Sequence, residues 1–490
     1  MKVSLWQTSA PYPEQTAFHP TDSFPESLFP EINSQSNGVY EAVRELFNMH
    51  GFDSANYGSP EWNPLGTIVR RGDRVMLKPN LISSNHPRRS DGWRSMLTHG
   101  SVIRAVADYA FKATGAAGEI VVADAPQSDS SFPEMCRLLG LDELERFYLS
   151  KGLRFRLLDL RRFLWKTVDE VVVSRETLSG DPSGYVTVSL GGNSLFYGHK
   201  GQGRYYGADY DTDEVNAHHY GETHEYLISR SALECDVFIN LPKLKTHKKT
   251  GVTLSIKNLV GINGDKNYLP HFTQGAPDAG GDEYPEATAG RTVELMGRTT
   301  MRKLAISVPK AGPWLFRRAR KTGAAVFGAT NDTIRSGNWW GNDTCWRMCL
   351  DLNRILLYAN PDGCLRRDHA DSRKRYLTII DGIVGGEGNG PIDVDPVNSG
   401  VLLLSTDPVA ADAVASRFMG FDPQAIPIIA QATQLTQYQL GVNNLGQVQI
   451  LSNCPEWCGK LATIGFSEQR PFRSHFGWRG RIEMEVAESK

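Results

Sequence analysis

Residues able to do chemistry recur in this chain at one kind of place, directly after short apolar runs. RVML leads to Lys78 and Asn80, and EIVVA leads to Asp124. DVFI leads to Asn240 and Lys243, LTII to Asp381, and VLLL to Ser405, Thr406 and Asp407. Lysines bind phosphate or carboxylate, while carboxylates hold hard cations or move protons. Gathered in one crevice, the two types would equip metal-assisted phosphoryl transfer or proton abstraction next to a carboxylate. The densest group is LPKLKTHKKTGVTLSIKNLVG (241–261), with Lys243, Lys245, Lys248, Lys249 and Lys257 around His247 and no acid among them.

Something must bring these residues together, and the apolar runs supply it. RVMLK and EIVVA read as strands, with SVIRAVADYAFKAT (101–114) between them as a helix stopped by Gly115. Strand, helix, strand implies a parallel sheet, and such sheets bind ligands beyond the carboxyl ends of their strands. The fold class expected is therefore α/β, a mostly parallel sheet with helices on both faces. A β-rich insertion is expected at 150–230, and a helical, lid-like insertion at 263–370. Around them the organisation reads as an N-terminal arm (1–65), a core in two parts (66–262 and 371–455) and a C-terminal tail (456–490).

Several of the same residues have plainer explanations. Asp407-Pro408 opens a helix, with Asp as cap and Pro at the first position. Asp381-Gly382 is a turn dipeptide, and His99 directly precedes a helix. The run GGEGNGP (385–391) lacks the lysine of a phosphate loop. It reads as backbone open to a ligand, with Glu387 as a metal or proton partner. Residues 250–260 read as a helix with Thr250 at its start, where free N–H groups favour an anion. Lys248 and Lys249 read as solvated.

The bulk numbers narrow the classes. A net charge of −2 with 22% charged residues gives no global field for nucleic acid. No apolar stretch approaches the ~20 residues of a membrane helix, and the first residues lack a signal-peptide pattern. Seven cysteines fit a reducing, cytoplasmic setting. Cys345/Cys349 and Cys454/Cys458 are both C-x-x-x-C, a weak pattern for zinc or a cluster. The basic amphipathic stretch 310–328 reads as a surface lid, or as a peripheral membrane contact.

VMLKPNLI, LTHGSVIRAVADYA, EIVVADAP, VFINLPKLKTHKKTGVTLSIKNLVGI, LTIIDGIVGGEGNGP and LLLSTDPVAADAVASRFMGFDP occur in that order. Together they resemble domain-of-unknown-function family 362 over most of 70–425. Many members of that family carry a ferredoxin-type C-x-x-C-x-x-C domain; this chain has none, so no iron–sulfur cluster is expected. The resemblance places the family pattern on Lys78, Asn80, His99, Asp124, Lys243, Lys245, His247, Thr250, Lys257, Asn258, Asp381, Glu387, Asp407 and Asp412.

The expectation that follows is an enzyme acting on a small anionic substrate. Asn80, Lys243, Lys245, Thr250, Lys257 and Asn258 would bind it. Asp124, Asp381, Glu387 and Asp407 would hold a divalent metal such as Mg²⁺. Lys78, His99 or His247 would move protons. Two alternatives stand beside it: a redox enzyme with a cofactor the sequence does not show, and a non-catalytic binder of an anionic glycan or lipid-linked precursor.

Overall fold

The computed structural model describes residues 1–168, 171–207, 212–288, 333–466 and 470–484. The basic stretch 310–328 lies outside them. A large mixed sheet organises the chain. Its strands, in chain order, are β1 (Lys2–Gln7), β2 (Arg74–Pro79), β3 (Glu119–Asp124), β4 (Arg154–Asp159), β5 (Val237–Leu241), β6 (Lys243–His247) and β7 (Gly251–Thr253). After these come β8 (Arg375–Asn389), β9 (Asp393–Val397), β10 (Val401–Ser405), β11 (Gln449–Ser452) and β12 (Gly459–Lys460). The spatial order is β12-β11-β1-β10-β8-β5-β2-β3-β4, with β6, β7 and β9 attached at the carboxyl end of β8.

From β8 to β4 the pairs are all parallel. These strands are apolar on both sides, as a sheet covered on both faces requires. Met76, Val121, Phe238 and Ile380 pack into one core. Their neighbours Leu77, Val122, Ile239 and Ile379 pack into the other. The second face carries α1 (Gly38–His50) and α2 (Gly100–Thr114). α2 ends as the sequence predicts, at Gly115, and α1 ends at Gly51 in the left-handed region. The first face carries the short α3 (Ser255–Asn258), α4 (Cys345–Tyr358) and α5 (Pro408–Phe418). The 150–230 region is strand-rich, with a hairpin of 163–168 and 171–177 and a three-stranded sheet around 223–229. No helix among the described residues is long and apolar enough to cross a membrane.

Three local readings change. The first 65 residues are more than an arm, because β1 lies inside the sheet, antiparallel to β10 and parallel to β11. The glycine run after Asp381 is not a loop: β8 continues through it to Asn389 as one 15-residue strand. Its glycines admit neighbouring chain rather than a ligand. A Cβ on Gly386 would stand 2.8 Å from the Ser95 carbonyl oxygen, and one on Gly390 1.9 Å from that of Thr246. Residues 250–260 are not one helix either, because β7 occupies 251–253 and α3 starts at Ser255.

Candidate functional site at the carboxyl edge of the sheet

The parallel strands bring Lys78, Asp124, Asn240 and Asp381 to one edge, and β6 continues past β5 there. Asn240 is in register with Lys78 and Thr378, and Lys243 with Asp381. Their hydrogen bonds and ion pairs then divide the residues into two networks.

On the face shared with Met76 and Phe238, Lys78 Nζ lies 2.7 Å from Asp124 Oδ1. It also donates to the Pro79 carbonyl at 2.9 Å and to Asn258 Oδ1 at 3.3 Å. Asn258 accepts from Asn80 Nδ2 and donates to Asn240 Oδ1, both at 2.8 Å. The second Asp124 oxygen accepts from Leu81 N at 2.7 Å. Burial lowers the Lys78 amine below its ordinary range, and the Asp124 charge opposes that shift.

Asp381 has the parity of Leu377 and Ile379, and so belongs to the other face. Its carboxylate accepts from the Tyr12 hydroxyl at 2.5 Å, from Lys243 Nζ at 3.1 Å and from His99 N at 2.9 Å. Lys243 also donates to the Tyr12 oxygen at 2.6 Å. The His99 ring stacks on Tyr12 with centroids 4.0 Å apart, and its Nδ1 accepts from Ser101 N. Its Nε2 therefore carries the proton. Burial first, then Lys243, hold this ring neutral. His247 is held neutral in the same way, by burial and four lysines led by Lys257, and its Nδ1 accepts from Lys249 N. Both histidines expected to move protons are thus neutral imidazoles that present an Nε2–H.

Lys245 is fully buried, and its Nζ has one hydrogen-bond partner among the described residues, the Met96 carbonyl at 2.7 Å. It feels Lys243, Lys257, Asp124 and Lys78 together, which places it within electrostatic reach of both networks. Burial and these lysines press its amine well below the usual range. Its register partner across the strand pair is Thr253, whose buried hydroxyl has no hydrogen-bond partner among the described residues. Lys257 makes no hydrogen bond or ion pair with any described residue, and it depresses Lys78, Lys245, His247 and His271. Lys266 donates to the Ala125 carbonyl at 2.8 Å and is lowered to about 7, chiefly by burial.

Other expected members lie elsewhere. β10 runs antiparallel to β8, with Thr378 opposite Ser405, so the carboxyl end of β10 is at the far edge of the sheet. Asp407 caps α5 there by accepting from Ala410 N, and it also accepts from Val442 N. Glu387 accepts from Arg470 Nη2 and from Arg473 N, which anchors the C-terminal segment. The hydroxyl of Thr250 donates to the Val252 carbonyl, and no helix starts at this residue. The start of α3 is occupied by the chain's own carboxylate, because Asp412 accepts from Ser255 N and Ile256 N at 2.7 and 2.9 Å. Lys248 and Lys249 are half-buried rather than solvated, and Lys249 stands over the Phe272 ring at 4.8 Å.

The four carboxylates proposed as metal ligands therefore have separate partners, and they form no common shell. Among the described residues no group of three or more His, Cys, Asp or Glu is placed to hold a metal ion. The two C-x-x-x-C pairs are also apart. Cys345 and Cys349 are buried in α4, whereas Cys454 bonds Gln7 beside β1 and Cys458 is exposed. Sequence reasoning missed Tyr12 and Lys266 as members of this site. Tyr12 sits in a Pro-rich stretch with no periodicity, and Lys266 in a Gly/Asp loop.

Residues 190–417 match the model of a family described as Domain of unknown function (DUF362). That span is narrower than the one over which motifs resemble it. A thylakoid-associated protein of Synechocystis is 25% identical over 381 residues, 77% of this chain and 71% of that protein. A Thermotoga maritima crystal structure aligns at 11% identity with a TM-score of 0.25. The alignment takes in 73% of this chain and 55% of that one.

Proposed function

We propose, since residues 190–417 match the model of the DUF362 family, that the carboxyl edge of the sheet binds a small anion carrying phosphate or carboxylate, as the substrate of an enzyme. One observation supports this above the rest. Two buried lysines, Lys78 and Lys243, have their own carboxylates. Lys245, Lys257 and Lys266 have none among the described residues, yet they lie within one electrostatic neighbourhood. Two like charges about 6 Å apart repel by roughly 3 kcal/mol at an effective dielectric constant of ~20. An anion would remove that repulsion and complete the hydrogen bonding of Thr253. Lys245 and Thr253 would hold its oxygens from the strand pair, Lys257 from α3, and His247 would offer its Nε2–H. A divalent ion enters this reading only as a companion of the anion, because the expected carboxylates are engaged elsewhere.

Sulfate is a suitable probe, because its charge does not change between pH 6 and 9. An anion present at ~100 times its Kd should raise the unfolding free energy by about 2.7 kcal/mol. Lys245→Met keeps the length of the side chain and should abolish that response while the protein remains folded. A variant that responds like the wild type would remove the proposal. Adding Mg²⁺ with phosphate, against phosphate alone, tests the metal companion.

The response should also depend on pH. Lys266 is lowered to about 7 and Lys249 to about 8, against 10.5 in the unfolded chain. Between those values the unfolded chain binds more protons, so without ligand these lysines make stability rise with pH. Sulfate needs the protonated amines. Its stabilisation should be largest at pH 6 and much reduced by pH 9, and a flat profile would contradict the assignment.

A further inference from the structure

The cysteines of α4 lie against this same site. Cys345, Cys349 and Asn353 are spaced four apart, and therefore form one row along the helix. The row is located by its last member: Asn353 Nδ2 donates to the Ile256 carbonyl in α3 at 2.8 Å, one residue before Lys257. Helix α4 packs along α3 and the 259–262 turn, which brings the two thiols to the α3 side of the helix. Cys345 is the first residue of this 14-residue helix, and its N–H is taken by Asn342 Oδ1 at 2.7 Å. Both thiols are fully buried, as is Asn353, whose side-chain oxygen has no hydrogen-bond partner among the described residues. Thr253, with its equally orphaned hydroxyl, lies just ahead of α3. Two orphaned polar groups, two lysines without a carboxylate partner among the described residues and a thiol pair thus lie on or beside the α3 segment.

We propose that Cys345 is the nucleophile of this site, attacking a carbonyl carbon of the anionic substrate whose charge Lys245 and Lys257 bind. The inference rests on the anion reading and deepens it. The Cys345 sulfur lone pair forms the S–C bond, and the C=O π pair moves onto oxygen. A proton from the Lys257 ammonium then neutralises that oxygen. Nothing is oxidised and no group leaves. The division of labour between the thiols follows from their surroundings. The neighbouring Cys349 thiol, as a donor, lowers Cys345 below its ordinary range; burial opposes this, and Lys257 and Lys249 add to it. Burial raises Cys349 well above its ordinary value, so it remains the neutral donor.

Alkylation of the full chain, located by peptide mass, tests the assignment. Iodoacetate is an anion and iodoacetamide is neutral; each forms an S–CH₂ bond and expels iodide. Cys345 should react several-fold faster with iodoacetate, whereas exposed Cys364 and Cys458 should show no such preference. Inorganic phosphate should slow the Cys345 reaction at least tenfold. Lys257→Met should remove the preference and Lys257→Arg should restore it, with circular dichroism confirming that both variants fold. The rate at Cys345 should rise with pH about a midpoint below the ordinary thiol range. Cys345 unmodified after Cys364 and Cys458 have fully reacted would overturn the proposal, as would a rate indifferent to phosphate and to Lys257→Met. The two readings fail separately. An unreactive Cys345 with the sulfate stabilisation intact removes only the thiol, whereas no sulfate stabilisation removes the anion site itself.

Discussion

Asp381→Asn should lower the unfolding free energy by on the order of 3–5 kcal/mol, the usual result of breaking one side of a buried ion pair. The carboxylate is fully buried, and donors surround it: Tyr12, Lys243, His99 N and Ile383 N. Asparagine keeps the shape but turns one acceptor into a donor that faces donors. It also leaves the Lys243 ammonium buried without a counter-charge. Urea unfolding should show a lower midpoint with an unchanged slope. Adding Lys243→Met to Asp381→Asn should recover part of the loss, because it removes the orphaned charge. A single-variant cost below about 1 kcal/mol would mean that the pair does not secure the Tyr12 segment.

A second large effect is expected at Gly261. A Cβ there would stand 1.8 Å from Asp124 Oδ1 and 2.7 Å from Lys78 Nζ. Neither atom is free to retreat. Asp124 is held by Leu81 N, and the next residue's N–H bonds the Gly261 carbonyl at 2.8 Å. Gly261→Ala should therefore separate Lys78 from Asp124 and cost roughly 3–5 kcal/mol. The sulfate response should weaken too, because the displaced network borders Lys245 and Lys266. Thermal unfolding with and without sulfate reads both effects. An alanine variant within about 0.5 kcal/mol of the wild type would show that the backbone can give way at no cost.

Much of the sheet was legible because buried parallel strands are short apolar runs, and the chemistry begins where each run stops. That rule found Lys78, Asp124, Asn240, Lys243 and Asp381. It failed at Asp407 for a definite reason: composition marks a strand but not its direction, and β10 runs against β8. It failed at Thr250 because Val252, Ile256 and Leu259 suit a helix, while pairing with β6 claims 251–253 for a strand. The glycine run was misread because glycine marks loops and tightly packed strands alike. Tyr12 was illegible because nothing local distinguishes it. Its place is set by Asp381 and Lys243, hundreds of positions away in the chain.

The position of β1 has a consequence for synthesis. It lies between β10 and β11, and Gln7 N bonds Asn453, 446 positions along the chain. A ribosome adding ~5–20 residues per second needs roughly 20–90 s to cover that interval. For most of that time, until β10 at 401–405 is made, the first strand is outside the exit tunnel without either of its sheet partners. The Tyr12 segment just after it must also wait before it can cover the Lys243–Asp381 pair. Until then the nascent chain presents an open strand edge and a buried-type lysine still without its carboxylate, so its vulnerability in the cell is concentrated in the interval before the last fifth of the message is read.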